Sequence, residues 1–127
     1  MRWSPELKVD ELTVRRVERI LEGYIEAKVP REVRSSVRLT YEWKAEGLTL
    51  MEERPDAQGR RWHGIAVARF VPEQGRWRVY ARNPVQGWER VPSILPSADF
   101  ECQLEQVELD MDGLFWPVLD ADEAELM

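Results

Sequence analysis

Two groups of side chains in this sequence have types and spacings that could do chemistry. The first is Glu52 and Arg54, two apart in a strand-like run and therefore on one face, with Tyr41 in reach from the preceding run. A carboxylate, a guanidinium and a phenol on an otherwise apolar face could hold a polar ligand or serve acid–base work. The same pair could equally be structural, an ion pair that closes one end of a core and fixes strand register. The second group is Arg69, Arg76, Arg78 and Arg82, with Tyr80 among them. Guanidiniums grip phosphate or carboxylate with two parallel hydrogen bonds, and a phenol can stack on a base as in single-strand binders. Against nucleic acid stands the acidic sequence pI of about 4.9, opposite to the usual footprint of such proteins. Some of these arginines could instead pair with Glu42, Glu53 or the C-terminal acids.

The remaining reactive types are isolated. His63 is the only histidine and has no Ser, Cys or Asp at triad spacing, which excludes a multi-histidine metal site and a histidine relay. Asp110-x-Asp112-Gly113 resembles a fragment of a calcium loop, but it lacks the other ligands and falls where a helix should end. Cys102 lies off the apolar face of its helix with no base nearby, so nothing supports a reactive thiol. No catalytic residue, metal ligand or cofactor is assigned.

The element that must position the arginines is a hairpin. Runs over 65–71 and 76–82 flank Pro72-Glu73-Gln74-Gly75, read as a four-residue turn. With Val71 opposite Arg76, Phe70 faces Trp77, Ala68 faces Val79 and Ala66 faces Ala81, which gathers small and aromatic residues on one side. The other side then carries Ile65, Val67, Arg69, Val71, Arg76, Arg78, Tyr80 and Arg82, an arginine-rich candidate contact face.

Around this hairpin the chain reads as helix, strands, helix. A helix starts at Ser4-Pro5-Glu6 or at Asp10-Glu11, shows Val17, Ile20, Leu21, Tyr24 and Ile25 on one face, and ends by Val29 because Pro30 cannot continue it. Val37, Leu39, Tyr41 and Trp43 alternate with polar residues, Glu46-Gly47 turns, and residues 48–54 return, so that Trp43 faces Leu50 and Tyr41 faces Glu52. Residues 55–61 form a polar loop, expected to be the loosest part of the domain. Residues 83–87 turn into a short last strand over 88–91. Ser97 caps a second helix whose face is Phe100, Leu104, Val107 and Met111 and whose stop is Gly113. The fold expected is α+β in two layers, with an N-terminal amphipathic helix, a four- to five-stranded antiparallel meander and a C-terminal helix on the same sheet face. Trp43, Leu50, Phe70, Trp77 and Val79 should share a core with Val17, Leu21, Phe100 and Leu104.

The 127 residues suit one domain, with a core over about 9–116 and an acidic tail over 117–127 expected to fray. There is no apolar run near the ~20 residues a membrane span needs, and the single cysteine rules out an internal disulfide framework, so a cytoplasmic location without membrane contact is expected. Charge is unevenly placed. Ten of the 24 acids follow Arg90 and no Lys or Arg does, so the first 90 residues hold all 18 bases against 14 acids.

Val-Arg-Leu-Thr-Tyr-Glu at 37–42, Leu-Thr-Leu at 48–50, Glu52-x-Arg54-Pro55, Ile65-Ala66-x-x-Arg69-Phe70, Trp77-x-x-Tyr80-x-Arg82, Trp88 and Gly113-Leu114-Phe115-Trp116 occur in this order. In that order and spacing the chain resembles the bacterial DUF3024 family, from about the first helix to Trp116. It departs at Ala81, where the family often has an aromatic, and at Glu89, where it often has His. The resemblance implies a small bacterial domain of undetermined activity and contributes no catalytic residue.

The leading expectation is a non-enzymatic binding or protein-interaction module using the arginine-rich face. The alternatives are a small-ligand or enzymatic site at Glu52, Arg54 and Tyr41, and binding of nucleic acid or another polyanion. The contact face is too apolar for an ordinary solvated surface. Its expected cover is a protein partner, a second copy in a homodimer, or the chain's own Leu114-Phe115-Trp116 with the acidic tail beside it.

Overall fold

The computed structural model describes residues 9–85 and 87–116. The first helix, α1 (Glu11–Lys28), starts where the Asp10 carboxylate accepts a hydrogen bond from the Thr13 N–H at 2.7 Å, supplying one of the donors a helix start leaves unpaired. The alternative start at Ser4 lies outside the described residues. The helix stops at Val29, just before Pro30. Val14, Val17 and Leu21 form its buried stripe.

Five strands follow: β1 (Arg38–Lys44), β2 (Gly47–Pro55), β3 (Trp62–Glu73), β4 (Arg76–Asn83) and β5 (Gly87–Arg90). They form one antiparallel sheet in the order β1-β2-β3-β4-β5. The last helix, α2 (Phe100–Leu109), shares a core with α1 and the sheet. The architecture is therefore the expected two-layer α+β meander. Phe70 and Trp77 of the sheet meet Phe100 of α2 with ring centroids 4.8 and 5.2 Å away. Of the expected core, Trp43 alone is only partly buried, at the edge of the cluster.

The β3–β4 hairpin is tighter than the sequence suggested, and the two-residue β1–β2 turn falls one residue earlier, at Ala45-Glu46. The β3–β4 turn is the two residues Gln74-Gly75, with φ of 53° and 77°, the paired left-handed conformations that suit the twist of two adjoining strands. Glu73 consequently faces Arg76, Phe70 faces Val79 and Ala68 faces Ala81. In the β1–β2 hairpin Tyr41 faces Leu50, Trp43 faces Leu48 and Leu39 faces Glu52. Each register is displaced by two residues from expectation. Because side chains alternate with period two, an even displacement changes partners and preserves faces.

An odd displacement does occur between β2 and β3. Leu50 faces Ala68, yet Met51 faces Ala66, which leaves Val67 as the extra residue of a bulge. Beyond it the alternation of β3 is reversed. Ala66 turns to the open face beside Met51, and Ile65 comes opposite Glu52 on the helix-bearing side. Val67 itself is fully buried in the core. Within the loop over 56–61 the Asp56 carboxylate accepts from the N–H groups of Gln58 and Arg60 at 3.1 and 3.0 Å. Those hydrogen bonds, the one from Arg60 foremost, hold the Asp56 carboxyl below its ordinary range.

The α2 region corrects three further expectations. Asp99, not Ser97, is the cap, accepting from the Cys102 N–H at 3.3 Å. Ser97 instead exchanges backbone hydrogen bonds with Trp77. The helix ends at Leu109, because Asp110 takes a left-handed conformation at φ 47°. Its carboxylate then accepts from the N–H groups of Leu114, Phe115 and Trp116 at 2.7, 3.2 and 3.2 Å. That knot returns Phe115 to the core and leaves Met111 exposed.

Candidate functional site

The helices occupy one side of the sheet, and no described helix lies on the other. On this open side β1 and β2 carry a balanced set of charges, Arg38 and Lys44 with Glu42 and Glu53. Arg38 donates to Glu53 at 2.7 Å, and its guanidinium lies 3.9 Å from the centre of the Trp62 ring. Lys44 is 3.7 Å from Glu42.

Strands β3 to β5 are unbalanced. Alternation puts Arg69 on β3, Arg76, Arg78, Tyr80 and Arg82 on β4, and Trp88 and Arg90 on β5 onto the same side, since Tyr80 faces both Arg69 and Arg90 and Arg82 faces Trp88. One carboxylate accompanies five guanidiniums there. It is Glu73, which accepts from Arg78 Nε at 3.1 Å and from the Tyr80 hydroxyl at 3.5 Å. Arg69 lies across the strands, donating to Thr49 Oγ1 at 3.4 Å with its guanidinium 4.7 Å from the Trp88 ring centre. Arg76, Arg82 and Arg90 are exposed and have no carboxylate partner among the described residues.

Of the sequence-derived contact face, Arg69, Arg76, Arg78, Tyr80 and Arg82 come together here. Val67 and Ile65 do not, because the bulge buries one and carries the other to the opposite side. Trp88 and Arg90 were missed, although their place in a strand after the 83–87 turn was legible. Their face depends on a register that a four-residue strand does not announce. Nor does Leu114-Phe115-Trp116 cover this face. Phe115 is in the core on the helix side, the Trp116 indole N–H donates to Val107 O at 3.0 Å, and Lys28 Nζ sits 4.4 Å from the Trp116 ring centre. The acidic tail over 117–127 lies outside the described residues.

The second group is only half assembled. Glu52 is buried at 8% exposure on the helix-bearing side and accepts from Arg54 at 3.4 Å. Its other oxygen, Oε2, is buried with no hydrogen-bond partner among the described residues. Tyr41 is not opposite it; the phenol donates to Glu22 Oε2 at 3.0 Å. Five clefts among the described residues are lined by neither Glu52 nor Arg54.

One such cleft, of about 420 Å³, opens between the helices beside Arg19, Tyr24, Glu105 and Glu108. There the Tyr24 hydroxyl and Lys28 Nζ both donate to Glu108. Burial and the hydrogen bond to Glu108 push the Tyr24 phenol far above its usual range. Burial would raise the Glu108 carboxyl, but the hydrogen bonds from Lys28 and Tyr24 outweigh it and hold it low.

Among the described residues no group of His, Cys, Asp and Glu is arranged to hold a metal, and no helix is long and apolar enough to cross a membrane. In comparison with known proteins, the family model described as Domain of unknown function (DUF3024) matches residues 9–117. No curated protein and no solved structure matches.

Proposed function

We propose, from the premise that this chain belongs to the DUF3024 family, that it is a binding module whose open sheet face docks on an anionic partner. The observation that carries this reading is the charge on β3 to β5, five guanidiniums to one carboxylate in a chain whose formal net charge is −6. Such segregation concentrates a positive potential on one face against the sign of the whole molecule. Arginine suits the task, because its planar fork is weakly hydrated and pairs bidentately with carboxylate or phosphate. Tyr80 and Trp88, half-buried between the guanidiniums, add the aromatic area found at contact surfaces. The groups gathered here are donors and stacking surfaces, which recognise anions without a reaction.

The test is binding of labelled polyglutamate and of inorganic polyphosphate at low salt, with wild type and with a triple Arg76→Glu, Arg82→Glu, Arg90→Glu variant. Wild type should bind, binding should weaken steeply as salt rises, and the variant should lose at least about tenfold in affinity. If neither polyanion binds wild type at low salt, or if the variant binds as well, the reading fails.

A second reading, a small polar ligand at Glu52, is favoured by the unsatisfied Glu52 Oε2. An N–H or O–H donor on a ligand would satisfy it. Native mass spectrometry of freshly purified protein checks this reading; a co-purified small molecule lost in Glu52→Leu supports it, and an unadorned mass in both removes it.

A further inference from the structure

We infer that the anionic partner is an acidic, extended segment of another protein, not a nucleic acid; the inference rests on reading the open face as an anion-binding surface. Its footprint is the first argument. The unbalanced patch spans three strands, a width of about 10 Å from strand spacing, and runs along β4 from Arg76 to Arg82, a length of about 20 Å. That is the room one extended chain of six or seven residues occupies. On the β1–β2 side the open face is charge-balanced, Glu53 pairing with Arg38 and Glu42 with Lys44, so a phosphate backbone crossing the sheet would pass beyond the excess of guanidiniums.

Spacing is the second argument. Arg76, Arg78, Tyr80 and Arg82 stand at alternate positions of one strand, so successive same-face sites are about 7 Å apart, with an arginine at three of the four. A partner segment in extended conformation with acids at every second residue repeats at the same interval. A carboxylate over Arg76, Arg78 or Arg82 then meets a guanidinium without bending either chain, and one over Tyr80 has Arg69 and Arg90 beside it on the neighbouring strands.

The aromatic residues supply the third argument. Single-strand nucleic-acid binders gain affinity by stacking bases on free rings. Here Arg69 already lies over Trp88 and Arg38 over Trp62, while the Tyr80 hydroxyl is engaged with Glu73. On Trp88 a base would have to displace the Arg69 guanidinium to stack, whereas a carboxylate is received by that guanidinium where it lies.

The deciding experiment titrates full-length protein at low salt with a short peptide alternating Glu and Thr, and with an oligothymidylate of equal charge. Amide shifts of the protein and anisotropy of the labelled probe are read together, and sedimentation velocity is run without probe. The peptide should bind at least about tenfold more tightly than the oligothymidylate, with shifts confined to β3–β5. Arg76→Glu with Arg82→Glu should abolish those shifts in a protein that still melts cooperatively. Oligothymidylate binding as tightly as the peptide or more tightly overturns the inference and leaves the anion-binding reading standing. A dimer without probe that Arg78→Glu converts to monomer also overturns it, in favour of a second copy as the occupant. If neither probe binds, both the inference and the anion-binding reading fall.

Discussion

Gln103, buried at 1% exposure on α2, donates from its amide nitrogen to Trp77 O at 2.8 Å and to Leu95 O at 2.9 Å. One side chain thereby ties the helix to β4 and to the crossing segment before the helix. In sequence it is one polar residue beside Leu104, with nothing to mark it. Gln103→Leu keeps the volume but removes both donors. Trp77 O retains its hydrogen bond from Ser97, and Leu95 O belongs to a residue that is 76% exposed and can turn to water, so the variant should lose about 1 kcal/mol in urea unfolding. Glu52 should behave in the opposite way. The carboxylate is buried opposite Leu39 and Ile65, but the Arg54 side chain is 44% exposed. Removing the acid leaves no charge stranded out of water. Glu52→Leu should therefore gain about 1 kcal/mol; a clear loss instead would mean that Oε2 has a partner worth keeping.

At the scale of elements, Gly47 decides how closely β2 packs on its neighbour. Its φ is 153°, and a Cβ there would stand 2.3 Å from Phe70 O. The contact is with backbone, which cannot swing aside, so Gly47→Ala should cost about 3 kcal/mol, read as a fall in the denaturation midpoint. The helix pair is joined by Tyr24, Lys28 and Glu108 and should respond to pH at both ends. The Tyr24 phenol is raised by folding, so its contribution is complete below the ordinary value of 10.0 and is lost as pH climbs above it. The Glu108 carboxylate is lowered, so its contribution is present above the ordinary 4.5 and is lost as pH falls through its lower folded value. In a spectrophotometric titration Tyr24 should not ionise until the protein unfolds. Tyr24→Phe should flatten the alkaline loss of stability.

For the whole molecule, the placement of charge has a stability cost. Five arginines on three adjacent strands repel one another, and like charges on neighbouring strands cost a few tenths of a kcal/mol per pair. Arg82→Glu should thus raise the melting temperature slightly, by about 0.5 kcal/mol of stability, while weakening polyanion binding. The order of helices and strands was legible in the chain because hydrophobic period, Pro30, the turn glycines and Asp10 act locally. So was the side of the sheet to which Phe70, Trp77, Val79 and the β4 arginines point, because alternation survives a register error of two. What the sequence could not disclose was the bulge at Val67. Its single extra residue is a compromise between β2 and β3, which pair across a loop, and no local pattern records it. That one residue removed Val67 and Ile65 from the open face. The clamp of Gln103 on Trp77 is likewise a contact between segments 26 residues apart in the chain, whereas the positions of Trp88 and Arg90 and the capture of Leu114, Phe115 and Trp116 by Asp110 are short-range arrangements that the residue types alone do not announce. Local sequence set which elements form and which way most side chains face; only their packing against one another decided which of those side chains meet.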